Sequence, residues 1–268
     1  PLTDIELQAF NEGVVKAYEL GRITMFELAL SLTISNTGRR PIQISHLRVC
    51  DVICGRNTKD EPFYLLNVPR GKQGDGFRTQ FKAFAITHDL WAILTAQAKS
   101  SLLLIERKLK FKHQDRESSQ LALFPRGDFD FEEQDRQQAP LFPDQNFALK
   151  INSLAEYREL LNTDKIHISS AAVTDTLQIV LEEIEVKSER TGESLFVNAR
   201  RFRYTTGTRA AREGYSDLLI AELLDHSDTQ NAGVYVKNVP EHVQRLDEAM
   251  GFQLAPFAQA FAGVLVDS

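Results

Sequence analysis

Helical segments stand on both sides of three short strands, and that order constrains the fold more than any other feature of the chain. The strands read as Arg48 to Ile53, Phe63 to Val68 and Phe77 to Ile86. Between the second and third, Gly71-Lys-Gln-Gly-Asp-Gly76 is a glycine-rich hairpin turn. Ahead of the strands, Thr3-Asp-Ile-Glu6 forms a capping box that opens a helix ending near Gly21. Thr24 to about Ser35 follows as a second helix, made thickly apolar by Phe26, Leu28, Leu30 and Leu32. A break at Asn36-Thr-Gly38 leads into a short helix toward His46 and Leu47. Beyond the strands, helices are expected from about Asp89 to Lys108, Ser153 to Leu161, Thr174 to about Lys187, Tyr204 to Glu213, Ser216 to Leu224 and Pro240 to Met250. Residues 112–153 contain the turns Phe124-Pro-Arg-Gly127 and Ala139-Pro-Leu-Phe-Pro143 and read as an irregular insertion. The expected fold class is α+β, mainly α, with one small three-stranded antiparallel sheet in a single domain over residues 1–268.

Of the 268 residues, 43% are hydrophobic and the mean hydropathy is -0.27, ordinary values for a chain with a substantial core. No apolar run reaches the ~18 residues of a membrane span. The amino terminus carries neither a start methionine nor a signal-peptide pattern, so the chain reads as an excised piece. Cys50 and Cys54, spaced C-x3-C, read as two buried thiols in a reducing cytosol, and no second pair completes a zinc site. His46, His88, His113, His167 and His242 show no pairing and read as ordinary histidines.

The net charge of -6 is unusual for a nucleic-acid-binding domain, but its distribution is uneven. Between Arg190 and Arg212 stand six arginines and one acid, Glu193, whereas acids gather at Asp128 to Asp135 and at Glu182 to Glu185. This predicts a basic face and an acidic back. The arginine-dense run Asn198-Ala-Arg-Arg-Phe-Arg-Tyr-Thr-Thr-Gly-Thr208 is followed by Leu223-Leu-Asp-His-Ser227 and then by Tyr235. Guanidinium forks match phosphate oxygens and keep their charge. A phenol can serve as a covalent nucleophile that splits one hard displacement into two easier ones. Together these are components of a phosphodiester-cleaving site.

This constellation resembles the tyrosine recombinase (phage integrase) family. The run from Arg200 to Thr208 and Leu224-Asp-His-Ser227 resemble that family's second signature block, which ends on its tyrosine. The resemblance assigns Arg203 to the arginine position, His226 to the second histidine and Tyr235 to the nucleophile. Arg200 stands where the first histidine is usual, and Asp225 replaces the usual glycine. Upstream, Thr37-Gly-Arg-Arg-Pro-Ile-Gln-Ile-Ser-His-Leu-Arg-Val-Cys-Asp51 resembles the first signature block. Arg40 then takes the first-arginine position, and Gln43 stands where glutamate is frequent. Tyr64 to Gly74 resembles the strand and turn carrying the catalytic lysine, with Lys72 the best match; if Lys72 proved not to be the general acid, that role would move to Lys82.

The resemblance implies a catalytic domain without its smaller helical partner domain. It further implies a site-specific recombinase or integrase that integrates or excises a phage or mobile element. Arg40 and Arg203 would clamp the scissile phosphate, with His226 adding a hydrogen bond. Tyr235 would attack in line to give a 3′-phosphotyrosyl link, and Lys72 would protonate the leaving 5′-oxygen. Arg200 would act electrostatically, because a guanidinium does not exchange protons at neutral pH. Arg201 and Arg209 read as solvated side chains or backbone-phosphate contacts. The implied partner is double-stranded DNA, bound by a homotetramer whose protomers exchange the apolar tail over residues 252–268, in the cytoplasm and nucleoid of a bacterial host. No cofactor, metal or membrane is implied. Two other readings stay open: a type IB topoisomerase-like nicking-closing enzyme, and a DNA-binding module whose active site has decayed.

Overall fold

The computed structural model describes residues 1–70, 77–119, 131–151 and 153–225. In chain order the helices are α1 (Asp4–Glu19), α2 (Met25–Thr37) and α3 (Pro41–Ser45), then the strands β1 (Val52–Arg56), β2 (Pro62–Pro69) and β3 (Phe81–Ala85). There follow α4 (His88–Ser119), α5 (Glu133–Gln138), α6 (Phe147–Lys150), α7 (Leu154–Leu160), α8 (Ser170–Ile184), α9 (Ala199–Arg212) and α10 (Asp217–Leu223). The described chain is mostly helical, with one three-stranded antiparallel sheet in the order β1-β2-β3. Its register sets Val52 opposite Leu66 and Leu65 opposite Ala85. The expected helix over Pro240 to Met250 lies outside the described residues.

Local chemistry explains where the helices start. Thr3 and Glu6 close the expected capping box on α1, each side chain bonding the other's backbone N–H at 3.1 Å. Thr24 and Glu27 close a second box on α2. Every residue from Leu28 to Arg39 is buried, as expected of a helix covered on all sides. Most of its polar residues are satisfied within the core, although Ser31 Oγ has no hydrogen-bond partner among the described residues. Thr33 and Thr37 donate to carbonyls one turn back, and Ser35 donates to Asn11 Oδ1 at 2.7 Å. Around α2 lies a core that includes Phe10, Val14, Leu94, Leu177, Val197 and Phe202.

Several expectations need correction. The first strand starts four residues later than expected, because Asp51 Oδ2 accepts the Arg48 N–H at 2.7 Å and closes a 3-10 turn over Val49–Asp51. Arg78 then grips Asp51 with two bonds of 2.7 and 2.9 Å, and its left-handed backbone (φ 57°) keeps the third strand from beginning at Phe77. Helix α4 runs well past Lys108, into the stretch expected to be irregular. Residues 131–151 are not a loose insertion either. Phe131, Ala139, Phe147 and Ile151 join Ile105 and Leu109 of α4, and Tyr157, in a second apolar cluster. Leu141 and Phe142 enter the first core. Cys50 and Cys54 are exposed rather than buried. His167 is buried, its Nδ1 lies 2.8 Å from the Ser45 carbonyl, and its ring packs against those of His46 and Phe77.

The basic face is also smaller than the sequence suggests. Arg190 and Arg201 reach Glu6 Oε2 at 2.7 and 3.4 Å, and Arg209 and Arg212 reach Asp4 Oδ1 at 3.3 and 3.4 Å. Four of the six arginines therefore tie the region around α9 to the start of α1. Arg201 and Arg209 are thus ion-paired rather than free for phosphate. Burial works to raise the Glu6 carboxyl, but hydrogen bonds from Arg190, Ser188 and the Thr3 amide outweigh it and hold it down at about 2.

Candidate active site

Helix α2 ends on Gly38, which adopts the left-handed conformation (φ 60°) and donates its N–H to Ile34 O at 2.9 Å. A Cβ at that position would meet Thr206 Oγ1 at 2.6 Å and the Arg203 Cα at 3.3 Å, so the missing side chain is what lets the end of α2 rest on α9. Helix α9 starts at Ala199 rather than Tyr204, because Asn198 caps it by accepting the Arg201 N–H at 2.8 Å. That places Arg203 in the second helical turn, with Nη1 donating to Gly38 O at 3.3 Å.

The end of α10 lies against this junction. Gly207 permits the approach, since a Cβ there would stand 3.0 Å from Leu224 Cδ1. The last carbonyls of a helix have no intrahelical donors, and here four cationic side chains from β3, the α2–α3 link and α9 supply them. Lys82 of β3 donates to Glu222 O and pairs with Glu222 Oε1 at 2.5 Å. Arg39 donates to Leu223 O, and Arg203 to Leu224 O. Arg40 Nη1, at the start of α3, approaches Asp225 O at 3.4 Å.

Asp225 closes the arrangement. Its backbone is left-handed (φ 52°), a conformation in which glycine is preferred and aspartate is tolerated. This explains a position where the resemblance has glycine. Its buried carboxylate takes Gln43 Nε2 at 3.0 Å on Oδ2 and pairs with Arg70 at 2.7 Å on Oδ1. The Arg70 contact lies off the hydrogen-bond direction and is an ion pair only, so it leaves Oδ1 without a hydrogen-bond partner among the described residues. Gln43 also accepts the Arg40 N–H through Oε1 at 3.1 Å. A glutamate in place of Gln43 would face the Asp225 carboxylate, so the two departures from the family pattern complement each other.

The electrostatics favour an anion. Four guanidiniums, those of Arg39, Arg40, Arg70 and Arg203, surround one carboxylate, while Lys82 and Glu222 offset one another. Arg39 is fully buried with its guanidinium 3.7 Å above the Phe84 ring, and its Nη1 has no partner among the described residues. Burial first, then Arg203 and Arg40, push it down to about 9 against the opposing pull of Asp225. Burial and Arg40 likewise bring Arg203 to about 10. Both stay cationic at neutral pH. A guanidinium has five N–H donors. Arg203 commits two and Arg40 one among the described residues, which leaves donors for phosphate oxygens.

The structure thus brings together Arg40 and Arg203. Arg200 lies one turn before Arg203 on α9 but is exposed, with Nη2 bonded to Tyr204 Oη at 3.0 Å. Lys72, His226 and Tyr235 lie outside the described residues; His226 is the next residue after Asp225. Lys82, the alternative acid, has its amine engaged with Glu222, and burial lowers its pKa against that partner. Sequence reasoning missed Arg39 and Arg70 altogether. The only available signals were the Gly-Arg-Arg doublet and an arginine just before the glycine-rich turn. Among the described residues no group of three or more His, Cys, Asp or Glu is gathered to hold a metal ion, and no helix is long and apolar enough to cross a membrane. In comparison with known proteins, no family model matches the chain and no curated protein sequence matches it.

Proposed function

We propose that this chain is the catalytic domain of a tyrosine recombinase, which cuts and rejoins DNA through a 3′-phosphotyrosyl link to integrate or excise a phage or mobile element. The observation that carries the reading is the meeting of Arg40 and Arg203 at Leu224–Asp225, the turn that leads directly into His226. These arginines come from signature blocks far apart in sequence, and their meeting is what a phosphate clamp requires. The mainly helical architecture with one small sheet is compatible with that family's catalytic fold.

In this mechanism Arg40 and Arg203 bind the nonbridging oxygens, where charge accumulates in the pentavalent transition state. His226 adds a third hydrogen bond. Tyr235 gives up its phenolic proton to solvent and attacks the phosphorus, the bond to the 5′-oxygen breaks, and Lys72 gives that oxygen its proton. Lys82 is better suited to holding α10 than to proton donation, since its amine serves Glu222. Arg200 supplies positive potential from the exposed side of α9. Rejoining is the reverse attack by another strand's 5′-hydroxyl, and the diester energy is kept throughout. The partner is double-stranded DNA, engaged as a tetramer linked by residues 252–268 in a bacterial cytoplasm.

A nicked duplex that loses its short 5′-hydroxyl strand on cleavage tests the reading. The chain should become covalently attached to it, and Tyr235→Phe should abolish attachment while sparing binding. Binding with no adduct would instead indicate a DNA-binding module. Plasmid relaxation without strand exchange would indicate a nicking-closing enzyme.

A further inference from the structure

We propose that Asp225 is a positioning residue: with Gln43 and Arg70 it forms a latch that holds the end of α10 against the arginine cluster and so sets the geometry of the Arg40–Arg203 clamp. The inference rests on the recombinase reading for its effect on cleavage, and on the structure alone for the latch itself.

Three observations carry it. The carbonyls of four successive residues, 222 to 225, each receive a cationic side chain, and these come from three parts of the chain: β3, the α2–α3 link and α9. The two clamp arginines are therefore oriented by the path of this turn, and a shift of the turn shifts both guanidiniums. That path depends on a left-handed residue, a conformation that aspartate tolerates but adopts less readily than glycine, so its surroundings help to hold it. The surroundings are specific. The Asp225 carboxylate is buried and takes one contact from α3 through Gln43 and one from the end of β2 through Arg70. Gln43 also receives the Arg40 N–H, so a single side chain links the carboxylate to the backbone of a clamp arginine.

The latch has a chemical signature that a merely stabilising contact lacks. It needs a donor at position 43 opposite a carboxylate at 225. Gln43→Glu would put two carboxylates about 3 Å apart and repel them. In an Asp225→Gly background the same change meets no opposing charge. Glycine also keeps the left-handed turn without strain.

The test uses the chain as described, with the nicked duplex as probe. It measures the dissociation constant, the single-turnover cleavage rate at saturating DNA, and hydrogen exchange of amides 216–225. Asp225→Asn, which tolerates the same backbone, should leave the dissociation constant within about twofold. It should slow cleavage on the order of tenfold, as loss of one charge-assisted contact predicts, and speed exchange at 216–225 alone. Gln43→Glu should do the same in the native background, and should be rescued to within about threefold of Asp225→Gly when combined with it. Equal effects of Gln43→Glu in both backgrounds would overturn the latch, as would an Asp225→Asn variant with native exchange and cleavage. Should the native chain form no adduct at all, the recombinase reading falls while hydrogen exchange still decides the latch. Should Asp225→Asn fail to fold, the Gln43 pair of variants decides it.

Discussion

Glu6→Gln isolates the junction that fixes α9, and therefore Arg203, to the amino-terminal helix. The native carboxylate accepts from the Thr3 amide at 3.1 Å, from Arg190 Nε and Nη2 at 3.1 and 2.7 Å, from Arg201 at 3.4 Å and from Ser188. Glutamine keeps the shape and the capping box but removes the charge. The carboxyl sits at about 2 in the folded chain against an ordinary 4.5. That difference corresponds to about 3 kcal/mol at ~1.4 kcal/mol per pH unit. Arg190 is half-exposed and screened by water, which reduces the expectation to about 2 kcal/mol. A depressed carboxyl contributes its stability in full above pH 4.5 and loses it as pH falls toward about 2. Urea unfolding of both proteins across pH 2–7 should therefore show a gap of about 2 kcal/mol at pH 6–7 that closes toward pH 2. The buried His167, held down to about 3 by burial, also destabilises the fold in acid, but equally in both proteins, so it cancels in the difference. A gap that stays constant over the whole range would show that packing, not charge, is responsible, and would refute the argument.

Gly38→Ala should destabilise by roughly 2 kcal/mol or more in chemical denaturation, because it adds left-handed strain to a contact of 2.6 Å with Thr206. It should also slow cleavage, since the Gly38 carbonyl helps hold Arg203. Arg39→Met should change stability by less than about 1 kcal/mol in the same assay, because removing a buried charge, one of whose donors has no partner among the described residues, offsets the bonds lost to Thr37 O and Leu223 O. A loss of several kcal/mol would show that the guanidinium is well satisfied. In salt titrations of DNA binding, Arg203→Ala should lower the slope of log K against log salt by about 1. Arg190→Ala and Arg212→Ala should leave that slope unchanged, because both guanidiniums are ion-paired with α1.

What the sequence determined by itself is what depends on neighbours along the chain. The capping box at Thr3 and Glu6, the glycine break after α2 and the existence of three short strands all follow from interactions spanning a few residues. The Thr24–Glu27 box and the Asn198 cap were equally local and could have been read the same way. Tertiary structure decided everything that rests on a distant partner. The arginine run reads as a basic face until Asp4 and Glu6, at the other end of the chain, are found paired with four of its members. Residues 131–151 read as irregular because their turns are visible in sequence, whereas the apolar surface of α4 that orders them is not. Asp225 shows in sequence only as a departure from a motif. Its meaning comes from a backbone angle and from two partners, Gln43 and Arg70, that reach it only once α3, β2 and α10 have packed. A pattern of residue types can name the groups able to hold a phosphate. Whether their charges are free to do so depends on which counter-charges the fold brings beside them, and in this chain that was decided by packing.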